Sequence, residues 1–154
     1  MRSIPPCIGR PLTMFRIIGQ YEITRDGDII RVWSAHEFNL EAAQQYALDM
    51  LQMIEQMPPR FGTLVIFDAP PVIGPDVEQS MRESARERAA RGMVAAAFVT
   101  LNQEGLEVAR SQWLRIYEGS GVALQFFGEE APAREWLQAA IGRPKPNESI
   151  DSTS

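Results

Sequence analysis

The sequence Leu64-Val65-Ile66-Phe67 is the first of three short apolar runs that decide the fold of this chain. The second run is Ala95-Ala96-Ala97-Phe98-Val99, the third is Val122-Ala123-Leu124-Gln125-Phe126-Phe127, and a helical pattern follows each of them. A strand that is apolar at consecutive positions has both faces covered, which is typical of parallel strands in a sheet flanked by helices. The three runs therefore predict an α/β fold with three strand–helix units.

An N-terminal β-hairpin is predicted before these units. Tyr21-Glu22-Ile23 and Ile29-Ile30-Arg31-Val32-Trp33 flank Asp26-Gly27, and Asp-Gly between two such runs is a strong hairpin signal. We expect one mixed sheet of about four or five strands, which is a common number of strands in natural sheets. Three parallel strands form its core, the Ala95–Val99 strand lies in its interior, and the helices lie mainly on one face.

Four helices follow from apolar periodicity and capping residues. The stripe of the second helix is expected to contain Val77, Met81, Ala85 and Ala89, while its arginines and glutamates form a solvated face. The predicted limits are Asn39, as N-cap, to about Met57; Asp76, as N-cap, to Gly92 at the C′ position; about Gln103 to Tyr117; and about Glu130 to Ala140.

The length of 154 residues predicts a single domain. We expect residues 1–14 to form an irregular leader, residues 15–141 the folded domain, and residues 142–154 a disordered tail rich in proline and polar residues. The sequence contains no internal repeat and gives no indication of a second domain.

Charge and cysteine content restrict the compartment and the partners. Fifteen basic and twenty acidic residues give a net charge of −5, which argues against nucleic-acid binding. Cys7 is the single cysteine, so no internal disulfide can form, which is typical of a reducing compartment. No stretch approaches the roughly 20 apolar residues of a membrane span. We therefore expect a cytoplasmic protein without integral membrane association.

Catalytic motifs are sparse. His36 is the single histidine, and no serine in a strand-to-helix elbow accompanies it. One histidine and one cysteine also give too few ligands for the usual metal sites, and no phosphate-binding loop is present. We predict no catalytic residue, no cofactor and no metal site, and an enzyme of unknown reaction is only the third hypothesis for function.

The rim at the carboxyl ends of the strands is where open α/β sheets bind ligands. The loop after Asp68 is unusually apolar there, and it either covers the sheet edge or forms a contact surface for a protein partner. The partner-binding candidates are Pro70, Pro71, Val72, Ile73, Gly74, Asp76, Thr100 and Asn102.

The first helix has a wide apolar face that contains three methionines. This face either packs on the sheet as core or binds a small apolar ligand or lipid. The candidates for such a ligand site are Tyr46, Met50, Met53 and Met57.

The order of elements over about residues 20–140 carries a family resemblance. The chain has a hairpin, a helix and three strand–helix units, with Leu64–Asp68 leading into a loop before a helix. Two short segments also carry the resemblance: the strand Ala96-Ala97-Phe98-Val99 and the helical segment Ala133-Arg134-Glu135-Trp136-Leu137. This pattern resembles the STAS superfamily of bacterial anti-sigma-factor antagonists. Within that superfamily it is most similar to divergent STAS-like proteins that also resemble CRAL-TRIO lipid-transfer domains.

The resemblance implies a regulatory function. In the antagonists, a serine at the start of the helix after this strand is phosphorylated by a kinase-type anti-sigma factor. The corresponding segment here, Ile73-Gly74-Pro75-Asp76-Val77, has no serine or threonine, so we expect docking without a phosphoswitch. The first hypothesis is a non-enzymatic cytoplasmic interaction module that binds a protein partner, with homodimers included. The alternative is a small apolar-ligand or lipid-binding protein.

Overall fold

The computed structural model describes residues 13–16, 21–34, 39–68 and 73–142. The expectations for Cys7, His36, Pro70, Pro71, Val72 and the tail from residue 143 lie outside these residues. The described strands are β1 (Thr13–Arg16), β2 (Tyr21–Asp26), β3 (Ile29–Ser34), β4 (Phe61–Phe67), β5 (Met93–Thr100) and β6 (Ala123–Phe127), and the described helices are α1 (Leu40–Ile54), α2 (Pro75–Ala90), α3 (Leu106–Tyr117) and α4 (Glu130–Gly142).

The strands form one mixed sheet in the order β1-β2-β3-β4-β5-β6. β2 pairs antiparallel with β1 and β3, whereas β3, β4, β5 and β6 are parallel to one another. The predicted α/β fold with an N-terminal hairpin and three strand–helix units is confirmed, and β5 lies in the interior of the sheet.

Two details of the sheet differ from the sequence prediction. β1 adds a sixth strand, and its residues 13 and 14 belong to the segment predicted as an irregular leader. β3 is parallel to β4, so the parallel part of the sheet has four strands and not three. A four-residue strand at a sheet edge has too few positions for its alternation to stand out in the sequence.

The two faces of the sheet carry different numbers of helices. Val65 and Phe67 of β4 belong to a core with Met50 of α1, Met81 of α2 and Trp113 of α3. The alternate residues of β4 and β5 form a second core with residues of α4, and it includes Leu64, Ile66, Ala95, Ala97, Leu137 and Ile141. The helices thus lie mainly on one face, as predicted, with three on one side and α4 on the other.

The helix N-termini agree with the sequence at α1 and differ at α2. The Asn39 side-chain oxygen accepts a hydrogen bond from the backbone N–H of Ala42 at 2.8 Å, which confirms the predicted cap. At α2 the N-cap is Gly74, without a side-chain hydrogen bond, and Pro75 is the first helical residue. The prediction that Asp76 is the N-cap is therefore wrong. Proline fits the first position because its missing N–H would find no acceptor within the helix.

Gly92 ends α2 in the predicted C′ position and is held in a conformation that other residues rarely adopt. Its φ is +118°, and a Cβ atom added there lies 2.2 Å from the Pro59 carbonyl oxygen. Pro59 lies in the loop that leads into β4, which begins at Phe61. The close approach of Gly92 to Pro59 therefore packs the end of α2, just before β5 begins at Met93, against this loop.

Replacing Gly92 with alanine is expected to lower the free energy of unfolding by about 3 kcal/mol or more, because it adds steric overlap to backbone strain. Gly105→Ala is the matched control. Gly105 also has a positive φ, of +80°, but no atom lies within 4 Å of an added Cβ, so a loss of about 1 kcal/mol is expected. Urea unfolding measures the free energy of unfolding of both variants. Equal losses of stability would show that the structure around Pro59 shifts at little cost to accommodate the added methyl group.

An ion network joins α4 to the hairpin. Arg31 of β3 donates two hydrogen bonds to Glu130, at 2.9 and 3.2 Å, and Arg134 donates to Glu130 at 3.0 Å and to Asp26 at 2.6 Å. The hydrogen bond from Arg31, followed by that from Arg134, holds the pKa of Glu130 below its ordinary value of 4.5, against the opposing effect of burial.

Because the pKa of Glu130 is lower in the folded protein than in the unfolded chain, its contribution to stability is present above about pH 4.5 and is lost as the pH falls through the lowered pKa. Glu130→Gln is expected to flatten the acid side of the stability profile, as measured by urea unfolding between neutral pH and pH values below 4.5. The exposed neighbour Glu129 supplies the control substitution, Glu129→Gln. A Glu130→Gln profile as steep as the wild-type profile would contradict this assignment.

Candidate functional site

The loop residue Ile73 is part of the core. Its side chain is buried, its backbone N–H donates to the Gln112 side-chain oxygen at 2.9 Å, and the Gln112 amide nitrogen donates back to its carbonyl at 2.7 Å. Gly74 and Asp76, which follow it, are exposed. Of the two interpretations of this apolar loop, Ile73 fits the one in which the loop covers the sheet.

The other two rim candidates also differ in exposure. Thr100 is fully buried, and its carbonyl and hydroxyl oxygens accept hydrogen bonds from the Gln103 side chain at 2.7 and 3.2 Å. Asn102 is exposed and accepts a hydrogen bond from the backbone N–H of Glu104 at 2.9 Å. The described residues of the predicted docking surface therefore leave three exposed members, Gly74, Asp76 and Asn102, and none of them is apolar and large.

The predicted ligand-binding face of α1 divides into core and cavity wall. Met50 and Met53 are fully buried, and Met57 is partly buried against the same core. Tyr46 alone of these four residues lines a cavity between the sheet and the helices α1, α2 and α3.

This cavity has a volume of about 30 Å³. A cavity needs roughly 10–15 Å³ to hold one water molecule, so this cavity is large enough for water or for a few heavy atoms of a ligand. Its lining includes four aliphatic residues, Val32, Val65, Ile73 and Met81; five aromatic residues, Tyr46, Phe67, Phe98, Trp113 and Tyr117; and two polar residues, Ser34 and Arg88.

The aromatic wall of the cavity is held by ring–ring contacts. The Phe98 ring lies 5.1 Å from the Trp113 ring, 5.3 Å from the Phe67 ring and 6.1 Å from the Tyr117 ring, between centroids. Tilted and edge-to-face contacts at these distances favour one arrangement of the rings. The aromatic wall of the cavity is therefore well defined.

Arg88 is the charged residue among the described residues that line the cavity, and the prediction that it lies on the solvated face of α2 is wrong. The residue is only 3% exposed, and its Nη1 atom is buried without a hydrogen-bond partner. Its Cζ atom lies over the Tyr46 ring, 5.9 Å from the centroid. A buried guanidinium nitrogen without an acceptor is costly and rare in folded proteins.

The sequence did contain a signal for the burial of Arg88. It lies eleven residues after Val77, seven after Met81 and three after Ala85, and these spacings place all four residues on one face of a helix. The nearby Glu87 and Arg91 form an exposed ion pair. Because Arg88 lies in a run of such charged residues, its apolar spacing is easily overlooked in the sequence.

Tyr46 does not supply a negative charge to Arg88. Burial raises the pKa of the Tyr46 hydroxyl far above its ordinary value of 10, and the nearby positive charge of Arg88 offsets only part of this effect. Tyr46 is therefore a neutral hydroxyl at physiological pH and does not neutralise the charge of the guanidinium.

Within residues 13–16, 21–34, 39–68 and 73–142, no group of three or more His, Cys, Asp or Glu side chains could hold a metal ion. No helix among the same residues is long and apolar enough to cross a bilayer. Comparison of the chain with protein-family models, with characterised proteins and with solved structures finds no match, so its function has to be inferred from the residues of the site.

Replacing Arg88 with methionine is expected to raise the free energy of unfolding by about 1 kcal/mol, because a side chain of similar shape removes a buried donor that has no acceptor. Arg60→Met is the matched control. Arg60 donates to the carbonyls of Ile141 and Ala140 at the end of α4, at 2.9 and 3.2 Å, so its replacement should cost about 2 kcal/mol. Urea unfolding measures both, and a comparable loss for Arg88→Met would show that Arg88 is a structural residue.

Proposed function

We propose that this protein binds a small molecule in the cavity between the sheet and the helices α1, α2 and α3. The observation that carries the proposal is the buried Nη1 atom of Arg88, which has no hydrogen-bond partner, in a cavity that is otherwise mostly aromatic and aliphatic. Ligand sites typically combine apolar walls with a few polar groups that orient the ligand. Residues that break the rules of stable packing are found mostly at functional sites.

The size of the cavity narrows the class of ligand. About 30 Å³ accommodates only a few heavy atoms, whereas a lipid needs space for a long acyl chain. Of the two ligand classes in the alternative hypothesis, the volume of the cavity therefore favours a small ligand over a lipid.

The cavity also has a cost that binding can offset. At about 24 cal/mol per Å³, a cavity of about 30 Å³ lowers stability by about 0.7 kcal/mol. The buried Nη1 atom of Arg88, which has no hydrogen-bond partner, adds to this cost. A ligand that fills the space and pairs with the guanidinium relieves both and stabilises the folded state in proportion to its occupancy.

The protein-interaction module stays a prediction, as does the resemblance to bacterial STAS-like regulators. The exposed Gly74, Asp76 and Asn102 are compatible with docking, but Ile73, the one apolar docking candidate among the described residues, is buried. For this reason we place ligand binding before protein docking.

A fluorescence titration tests ligand binding. Trp33 and Trp136 belong to the core on the α4 side of the sheet, so a Trp33→Phe/Trp136→Phe variant retains only Trp113, which lines the cavity. Short-chain carboxylates, amides and alcohols are expected to change the emission of Trp113 in a saturable way for at least one of these compounds.

Val65→Ile fills part of the cavity and should weaken this binding at least tenfold while leaving stability nearly unchanged, because the added methylene enters free space. Val99→Ile is the control, since Val99 packs fully buried on the opposite face, and it should leave binding intact. If no compound gives a saturable response, or if Val65→Ile binds as the parent does, the cavity is not a ligand site.

A further inference from the structure

We infer that the ligand is a small monocarboxylate whose carboxylate binds the Arg88 guanidinium and whose short apolar tail lies against the aromatic wall of the cavity. This inference rests on the proposed function and specifies its ligand class. It starts from the side chain of Arg88, which is buried, lines the cavity and presents an Nη1 atom without a hydrogen-bond partner.

The charge of the site requires an anion. Arginine stays protonated in proteins, and no carboxylate of the described residues forms an ion pair with Arg88. Asp49 is the buried carboxylate of α1, but its two oxygens accept hydrogen bonds from Tyr21 at 2.6 Å and from Gln45 at 3.2 Å. A monoanion neutralises the single positive charge, whereas a dianion would leave a buried negative charge.

The shape of the guanidinium favours a carboxylate over other anions. Its planar N–H groups match the two oxygens of a carboxylate and form short, charge-assisted hydrogen bonds with them. A compact inorganic ion such as chloride offers no such pair of acceptors. Its transfer from water to a site with apolar walls is also unfavourable.

The rest of the lining favours an apolar tail. Nine of the eleven described lining residues are aliphatic or aromatic, and each methylene that leaves water for such a surface tightens binding by about fourfold. The volume of about 30 Å³ limits this gain to short chains. Affinity is therefore expected to rise from acetate to propionate and to fall once the chain outgrows the space.

The experiment compares charged and neutral probes of the same shape. Acetate, propionate, butyrate, propionamide and chloride are titrated at constant ionic strength into the variant that retains only Trp113. We expect propionate to bind at least tenfold more tightly than propionamide and chloride. Arg88→Met should abolish this preference, Arg88→Lys should keep part of it, and Arg91→Met should keep all of it, because Arg91 is an exposed arginine paired with Glu87 on the same helix.

The outcomes separate this inference from the proposed function. If propionamide binds as tightly as propionate, or if Arg88→Met retains the preference for propionate, the carboxylate assignment is overturned and a cavity for neutral ligands remains. Chloride binding as tight as that of propionate would also overturn it, in favour of a simple anion site. If none of the probes gives a saturable response in the variant that retains only Trp113, the inference fails, and the proposed function fails with it unless an alcohol binds.

Discussion

Burial of β4 on both faces is the constraint on which the rest of this structure depends. All seven residues of the strand are buried, and its neighbours β3 and β5 are both parallel to it. Parallel neighbours require crossover connections, and the two faces require cover. The chain meets both needs with α1, α2 and α3 over one face and α4 over the other. Gly62 shows how closely this cover fits, since a Cβ atom there would lie 2.8 Å from a terminal carbon of Leu137.

Two arginines of the described residues, the partly buried Arg60 and the buried Arg88, place their guanidinium groups in different surroundings. Arg60 donates to backbone carbonyls at the end of α4, where the helix carries a partial negative charge. Arg88 has aromatic and aliphatic neighbours and the ring of Tyr46 below its guanidinium. A cation–π contact compensates only part of the loss of hydration. The first arginine is thus explained by stability, whereas the buried Nη1 atom of the second has no hydrogen-bond partner and would gain one from the proposed ligand.

The sequence predicted those features that depend on local pattern. Consecutive apolar residues gave β4 and β5, Asp26-Gly27 gave the hairpin, and the side chain of Asn39 gave the start of α1. The start of α2 was misplaced because Pro75 and Asp76 are both suited to a first turn, and only the backbone shows that Gly74 precedes it. The cavity was beyond prediction, since its walls come from β3, β4, β5 and three helices and its volume depends on how their side chains pack. The burial of Arg88 could have been predicted from its helical spacing, but the charged residues around it indicated a solvated face.

The position of α4 has a consequence for synthesis of the chain. Everything that covers the second face of the sheet among the described residues comes from the last thirteen-residue helix, which is also tied to the hairpin through Glu130 and Arg134. While the ribosome still holds this helix, the strands β3, β4 and β5 can already pair, yet Leu64, Ile66 and Ala97 face water. The nascent protein therefore passes through a stage at which a broad apolar surface is open to chaperones or to other nascent chains, and this surface is covered once α4 has left the ribosome and packed.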